Sequence, residues 1–324
     1  RLNGVPSIRC TKGNRMPTTL FTHKACLEHI PGPSHPESPA RLEAVNTALS
    51  DSAFDALNRQ EAPRATVDQI ARAHPRDYVM EVLSHIPEQG AVRLDADTIV
   101  SPGSGEAALR AAGAVCAAVD AVVSGAVNNA FCAVRPPGHH AEPTIPMGFC
   151  IFNSVAVGGA HAREAHGLNR IAVIDFDVHH GNGTQAMFQN EADSFFASTH
   201  QSPLYPGTGA AHERGCANNI VNVPLSPHSG SESFRDALSN TILPALEGFG
   251  PDIVFISAGF DAHSDDPLAS LNFSDEDYGW ATERILEAAA SLCEGRVVST
   301  LEGGYDLAAL GRSAARHVKA LMAA

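Results

Sequence analysis

The stretch Asp175-Phe176-Asp177-Val178-His179-His180-Gly181-Asn182-Gly183 sets two carboxylates and two imidazoles close together. It follows Arg170-Ile171-Ala172-Val173-Ile174, an apolar, β-branched run whose length suits a strand buried on both faces. Side chains alternate along an extended backbone, so Asp175, Asp177 and His179 share one face. Such groups at the end of a buried strand are costly unless a cation or hydrogen bonds hold them. An Asp-rich turn capping a helix near Gly183 is the plainer reading, but turns rarely carry two adjacent His as well. The stretch therefore reads as a metal site, with Asp177 and His179 as ligands and Asp175 as a buried acceptor behind them. A zinc site of this kind needs about three protein groups and keeps one position for water. The third ligand should be a carboxylate or His at another strand end. His263-Ser264-Asp265-Asp266-Pro267 offers three candidates, and periodicity does not choose among them.

Other stretches supply what a metal-bound water would need. Arg135-Pro136-Pro137-Gly138-His139-His140 ends in two imidazoles that a Gly-led turn can aim at one cavity. An isolated pair of this kind would be read as surface His, but beside a metal site one of them suits a general base. The two would titrate as a pair, one neutral and one charged. Tyr305 follows Gly303-Gly304, which lets it approach a metal closely, and its hydroxyl would polarise a carbonyl and stabilise an oxyanion. Pro146-Met147-Gly148-Phe149 and Leu204-Tyr205-Pro206-Gly207 place Phe149 and Tyr205 either in the core or as walls gripping a substrate segment.

These stretches need elements that bring them together. Residues 20–23 read as a short strand, followed over 31–39 by a loop too proline-rich to be helical. Ser38 caps a helix with Pro39 at its first position and Leu42, Val45, Ala48 and Leu49 as its apolar stripe. Helices are predicted over 66–73, 76–85 and 104–124, with a loop over 94–102. Strands at 130–134, 171–176, 195–199, 220–223, 253–257 and 297–301 then alternate with helices at 152–166, 184–189, 234–247, 275–292 and 307–322. This alternation predicts an α/β single-domain fold, with a mainly parallel central sheet and helices on both faces. The polar stretches each follow a strand, where open α/β sheets form their binding crevice.

Composition bounds the reading. A hydrophobic content of 44% over 324 residues allows a substantial core. The net charge of −14 speaks against nucleic acid and favours cationic or neutral substrates. No apolar run approaches the roughly 20 residues of a membrane span, and no signal peptide is visible. Seven scattered cysteines without a Cys-x-x-Cys pair indicate neither a disulfide framework nor a thiolate zinc site, and fit a cytoplasmic setting. Residues 1–15 lack periodicity, whereas Met16-Pro17-Thr18-Thr19 reads like a native start. Residues 1–15 are therefore expected to be an added or disordered leader, and 16–324 one catalytic domain.

Jointly, these stretches resemble the zinc-dependent histone deacetylase superfamily, in particular the bacterial class II-type histone deacetylase-like amidohydrolases. The resemblance runs from about Leu20 to the C-terminus. It rests on His35-Pro36-Glu37, Arg135-Pro136-Pro137-Gly138-His139-His140, Gly148-Phe149-Cys150-Ile151-Phe152-Asn153, residues 175–183, Tyr205-Pro206-Gly207-Thr208-Gly209, residues 259–267 and Glu302-Gly303-Gly304-Tyr305. It implies the arginase/deacetylase fold and hydrolysis of linear N-acyl amides. It implies a catalytic zinc held by Asp177, His179 and Asp266, the last being the Asp just before Pro267. His140 would be general base and then acid, with Asn182 as its partner. His139, paired with Asp175, would act electrostatically, and Tyr305 would bind the substrate carbonyl. A structural potassium ion would sit among Asp175, Asp177, His179, Ser198 and Thr199. Gly148, Phe149, Tyr205, Leu268 and Asp97 would meet the substrate.

Acetyl-lysine in proteins, acetylpolyamines and small xenobiotic amides are all processed on this scaffold. The apolar Leu268 is similar to that of class II lysine deacetylases, while Asp95 or Asp97 would grip a substrate backbone or amine. Relatives of this type are often dimers or tetramers. A di-manganese ureohydrolase would need further Asp or His ligands and would leave His139, His140 and Tyr305 without a role. A non-enzymatic acetyl-lysine reader would have no turnover to lose on metal removal.

Overall fold

In this computed structural model, which describes residues 17–324, the apolar runs form strands at the centre of the molecule. The strands are β1 (Thr19–Thr22), β2 (Asn58–Glu61), β3 (Val92–Arg93), β4 (Ile99–Val100) and β5 (Asn129–Cys132). They continue with β6 (Ile171–Asp175), β7 (Ser194–Gln201), β8 (Ile220–Leu225), β9 (Ile253–Ala258) and β10 (Val297–Leu301). All but β3 and β4 join one eight-stranded sheet of order β2-β1-β5-β10-β9-β6-β7-β8. Every pairing in it is parallel. Strands β5, β6, β7, β9 and β10 are buried along their whole length, which is why they carry apolar runs instead of alternation.

Helices cover the sheet in two layers. They are α1 (Pro39–Ala48), α2 (Val67–Ile70), α3 (Arg76–Ser84), α4 (Ser104–Val123) and α5 (Ser154–His166). The others are α6 (Asn182–Phe188), α7 (Ser231–Ala237), α8 (Leu243–Phe249), α9 (Asp275–Leu292) and α10 (Leu307–Ala323). Alternation along β5 shows the two sides. Asn129 donates its side-chain amide to Leu321 of α10, and Phe131 meets the His317 ring of α10 edge-on at 5.3 Å. On its other side β5 packs against α4, which in turn packs on α5. Small residues dominate α4, which lets it lie close to the strands.

The structure departs from the sequence-based expectations in a few places. The edge strand β2 is polar and exposed, so no alternation announced it; pairing with β1 creates it. Within the segment expected to be a loop, Ile99–Val100 pairs with Val92–Arg93 as a short antiparallel ribbon. The helix expected over 234–247 is broken into α7 and α8 by a π-helical stretch, Leu238–Ile242. Ser38 occupies the cap position of α1, but its side chain makes no capping bond. The expectation about residues 1–15 lies outside the described residues. All six described cysteines are free, and no described helix is long and apolar enough to cross a membrane.

Candidate active site

Five neighbouring strands, β5, β10, β9, β6 and β7, deliver the polar stretches from their carboxyl ends, so the order of the sheet alone gathers them. Strand β6 ends at Asp175, and the chain turns through Asp177 and His179 into α6. Asp177 Oδ1 accepts the backbone N–H of His179 at 2.9 Å and lies 3.1 Å from its Nδ1. From β9, Asp261 brings Oδ2 to 3.2 Å from the same Nδ1, while its Oδ1 accepts the N–H of Val178 at 2.9 Å. Asp177, His179 and Asp261 thus form a buried trio whose ligand atoms lie within 4.8 Å of one another. Asp261 Oδ2 has no hydrogen bond among the described residues.

Two carboxylates and one imidazole nitrogen around one buried point are a donor set suited to a divalent cation, and the unbonded Asp261 oxygen is what such an ion would satisfy. Burial opposes charge on His179, but the Asp177 and Asp261 carboxylates beside its ring outweigh burial and raise it to about 10. A proton on Nδ1 and a dication therefore compete for the same place. Burial also works against the Asp177 carboxylate, yet His139 and His179 hold it far below the usual carboxylate range.

Of the three sequence-level candidates near Pro267, two point elsewhere. His263 faces Asp275 at 3.2 Å, and the exposed Asp265 pairs with Arg312 at 3.2 Å. Asp266 lies outside the tight trio. Its Oδ2 accepts the backbone N–H of Tyr305 at 2.7 Å, and its Oδ1 that of Leu268 at 3.0 Å. Burial and then the charge of Asp261 lift it to about 7, so the two carboxylates share one electrostatic field.

The paired histidines occupy distinct environments. His139 Nδ1 lies 2.9 Å from Asp175 Oδ2, and its Nε2 lies 3.8 Å from Asp177 Oδ1. Burial disfavours its charge, but Asp175 and Asp177 overcome that and raise it to about 10. His140 Nδ1 lies 2.8 Å from Asn182 Oδ1. Burial, followed by the charges of His139 and His179, holds His140 well below the usual imidazole value. At neutral pH one ring is charged and its neighbour is a neutral base. Gly148, with φ of +56°, is required here, because a Cβ would sit 2.4 Å from His140 Cδ2.

The phenol of Tyr305 is kept protonated by burial, which places its pKa well above the usual value. Tyr305 lines a cavity of about 220 Å³ with Asp97, His140, Gly148, Phe149, His179, Leu204, Tyr205 and Leu268. The five residues expected to meet substrate are therefore all in its wall. Phe149 adopts a left-handed φ of 68°, a conformation uncommon outside glycine, to present its ring there. Ser198 and Thr199 lie one strand away on β7; Ser198 is the register partner of Asp175, and its Oγ lies 2.9 Å from His200 Nδ1.

Several residues that organise the site carried no assigned role in the sequence reading. Glu302, the residue after β10, accepts the N–H groups of Gly138 and His139 at 2.7 and 3.2 Å and so shapes the turn before His140. Buried Glu37 binds the guanidinium groups of both Arg41 and Arg135. Its position in His35-Pro36-Glu37 was the available signal. A second trio, Asp120, His161 and His166, joins α4 to α5 on the outer surface. Both Nε2 atoms sit at hydrogen-bond distance from one Asp120 oxygen, 2.8 and 2.6 Å, and Arg72 lies against the other nitrogen of His161. That trio is a hydrogen-bonded clasp.

Residues 35–321 match the histone deacetylase domain. The chain belongs to the histone deacetylase family. The chain is 37% identical to a histone deacetylase-like amidohydrolase of Pseudomonas aeruginosa, over 89% of this chain and 82% of that one. A probable deacetylase of Archaeoglobus fulgidus is likewise 37% identical, over 90% and 82%. The solved HDA15 HD domain superposes with a TM-score of 0.86 at 32% identity, covering 95% of this chain and 89% of that one. The parallel sheet is thus the arginase/deacetylase fold, and this family member is a deacetylase or amidohydrolase by descent.

Proposed function

We propose that the protein is a zinc-dependent amidohydrolase that removes acetyl or other acyl groups from N-acetyl-lysine or a related acylated amine. One arrangement carries the reading: neutral His140, the protonated phenol of Tyr305 and the Asp177–His179 pair open onto one narrow cavity. At about 220 Å³ the cavity suits a single linear acyl-amine chain, being smaller than the roughly 300–1,000 Å³ of pockets for drug-sized ligands.

Asp177, His179 and Asp266 would hold the zinc, with Asp261 beside them. A bound divalent ion lowers the pKa of water and draws electron density from a carbonyl. Tyr305 donates a hydrogen bond to the substrate carbonyl oxygen as negative charge grows on it. His140 takes the proton of the attacking water on Nε2 and returns it to the leaving amine. His139 stays charged between Asp175 and Asp177 and stabilises the developing negative charge through space. Phe149, Tyr205 and Leu268 exclude water along the acyl-amine chain. The reading includes a structural potassium ion among Asp175, Asp177, His179, Ser198 and Thr199, supported by the Thr199 hydroxyl that has no bond among the described residues.

Asp97 gives an alternative some footing. It lines the cavity, so an acetylated diamine would find a carboxylate for its free ammonium there. A cytoplasmic setting, supported by the free cysteines, and a homodimer or homotetramer complete the reading. The deciding experiment compares kcat/KM of the zinc-loaded protein on an acetyl-lysine peptide, an acetylated diamine and a small acetanilide, each with and without chelator. Chelator-sensitive preference for the peptide is expected. Preference for the diamine or anilide would move the substrate class, and chelator-insensitive turnover would overturn the metal-dependent chemistry.

A further inference from the structure

We propose that Glu142 is a positioning residue for the general base: its carboxylate fixes which way the Asn182 side-chain amide points, and thereby the tautomer of His140. The inference rests on the reading of His140 as that base. Asn182 Nδ2 donates to Glu142 Oε1 at 2.8 Å and faces Met147 Sδ at 3.3 Å. Neither an ionised carboxylate nor a thioether sulfur has a proton to give. An amide turned over would aim its oxygen at two acceptors. The orientation present instead puts Oδ1 2.8 Å from His140 Nδ1. An amide oxygen only accepts, so Nδ1 carries the proton and Nε2 is left as the basic atom of a ring that lines the cavity.

Asn182 cannot settle this alone, because its amide has an acceptor at one end and donors at the other, and either can face an imidazole. A carboxylate on the far side decides the matter. Glu142 is held for the purpose: its N–H donates to Ile145 O at 3.0 Å, closing a tight turn between His140 and Gly148. One short segment thus carries the base, the glycine its ring packs against and the carboxylate that orients its partner.

The test measures kcat and KM of the zinc-loaded protein with Glu142→Ala and Glu142→Gln, each alone and combined with Asn182→Asp. Thermal melts confirm folding of every variant. Glu142→Ala is expected to lower kcat roughly tenfold or more with little change in KM, as for other residues that orient a ligand or base from behind. Glu142→Gln keeps an accepting oxygen and is expected to retain most of the activity. In the Asn182→Asp background the sign reverses: the two carboxylates repel, so Glu142→Ala raises kcat. A purely structural role would lower kcat in both backgrounds, and that result, or an unchanged kcat for Glu142→Ala, would overturn the proposal. Nitrogen-15 correlation spectra of His140 give a readout independent of turnover. The Nδ1–H tautomer is expected in the wild type and a mixture in Glu142→Ala; a single unchanged tautomer overturns the proposal even if no amide is hydrolysed. Absent turnover with a shifted tautomer would instead overturn only the hydrolase reading.

Discussion

The Arg41 guanidinium lies over the Tyr305 ring, 4.9 Å from its centroid, while its Nε donates to the carbonyl of Gly304 at 2.6 Å. A residue of the first long helix therefore clamps the loop that carries the phenol. The same side chain reaches Glu302 O at 2.5 Å and Glu37 Oε1 at 3.2 Å, and it is wholly buried. Replacing Arg41 with Ala strands the carbonyls of Gly304 and Glu302 and takes from Glu37 one of its two guanidinium partners. The expected cost is roughly 3 kcal/mol, the scale for removing one partner of a buried ion pair, checked by urea unfolding at pH 7. Turnover should fall along with stability, and an unchanged unfolding midpoint would show that the clamp is redundant.

Tyr305→Phe keeps the ring over which Arg41 lies and removes only the hydroxyl. Folding should be unaffected, whereas kcat should fall roughly a hundredfold or more, by analogy with removal of one oxyanion donor. Single-turnover kinetics on the preferred substrate would check this. A near-normal rate would remove Tyr305 from the carbonyl-binding role.

Gly303 is needed because of what faces it. A Cβ there would lie 2.1 Å from Asp261 Oδ2 and 2.5 Å from Asp177 Oδ2, and its N–H donates to that Asp177 oxygen at 2.8 Å. Gly303→Ala must push both carboxylates out of the trio. Zinc affinity, measured by competition with a chromophoric chelator, should fall at least about tenfold, the size of effect seen when a ligand's support is lost. Unchanged affinity would mean that Asp177 does not hold the metal.

His317, wholly buried against the rings of Phe131, Phe176 and Phe260, lies between Thr282 Oγ1 at 2.6 Å and Ser299 Oγ at 2.8 Å. Burial alone lowers its pKa to about 3. The unfolded chain binds this proton below about pH 6.5 and the folded chain does not, so acid favours unfolding. Between pH 6.5 and 5 this one group should remove roughly 1.6 kcal/mol of stability, the slope approaching 1.36 kcal/mol per pH unit as the unfolded-state imidazole becomes fully protonated. Urea unfolding across that range should show a shallower pH slope for His317→Gln than for the wild type; equal slopes would assign the acid sensitivity elsewhere.

Chemistry confined to one strand and the turn after it was legible in the sequence. Asp175, Asp177 and His179 stood out as carboxylates and an imidazole closing an apolar run, and His139-His140 and Tyr305 stood out because glycine-led turns after apolar runs place side chains at a sheet's edge. The alternation of apolar runs with helices likewise set the parallel sheet, since buried strands and their crossovers are local patterns. Contacts between distant segments were decided only by the tertiary structure. Strand β2 reads Asn-Arg-Gln-Glu and is a strand only because β1 offers it a partner. Asp261 joins Asp177 and His179 because β9 lies beside β6, and Asp265 turns to Arg312 while Asp266 turns to the Tyr305 loop. Arg41, Glu37 and Glu142 look in the sequence like ordinary charges on a helix or loop. Their roles come from desolvation and from the partners that burial leaves them, and those exist only once the chain has closed around them.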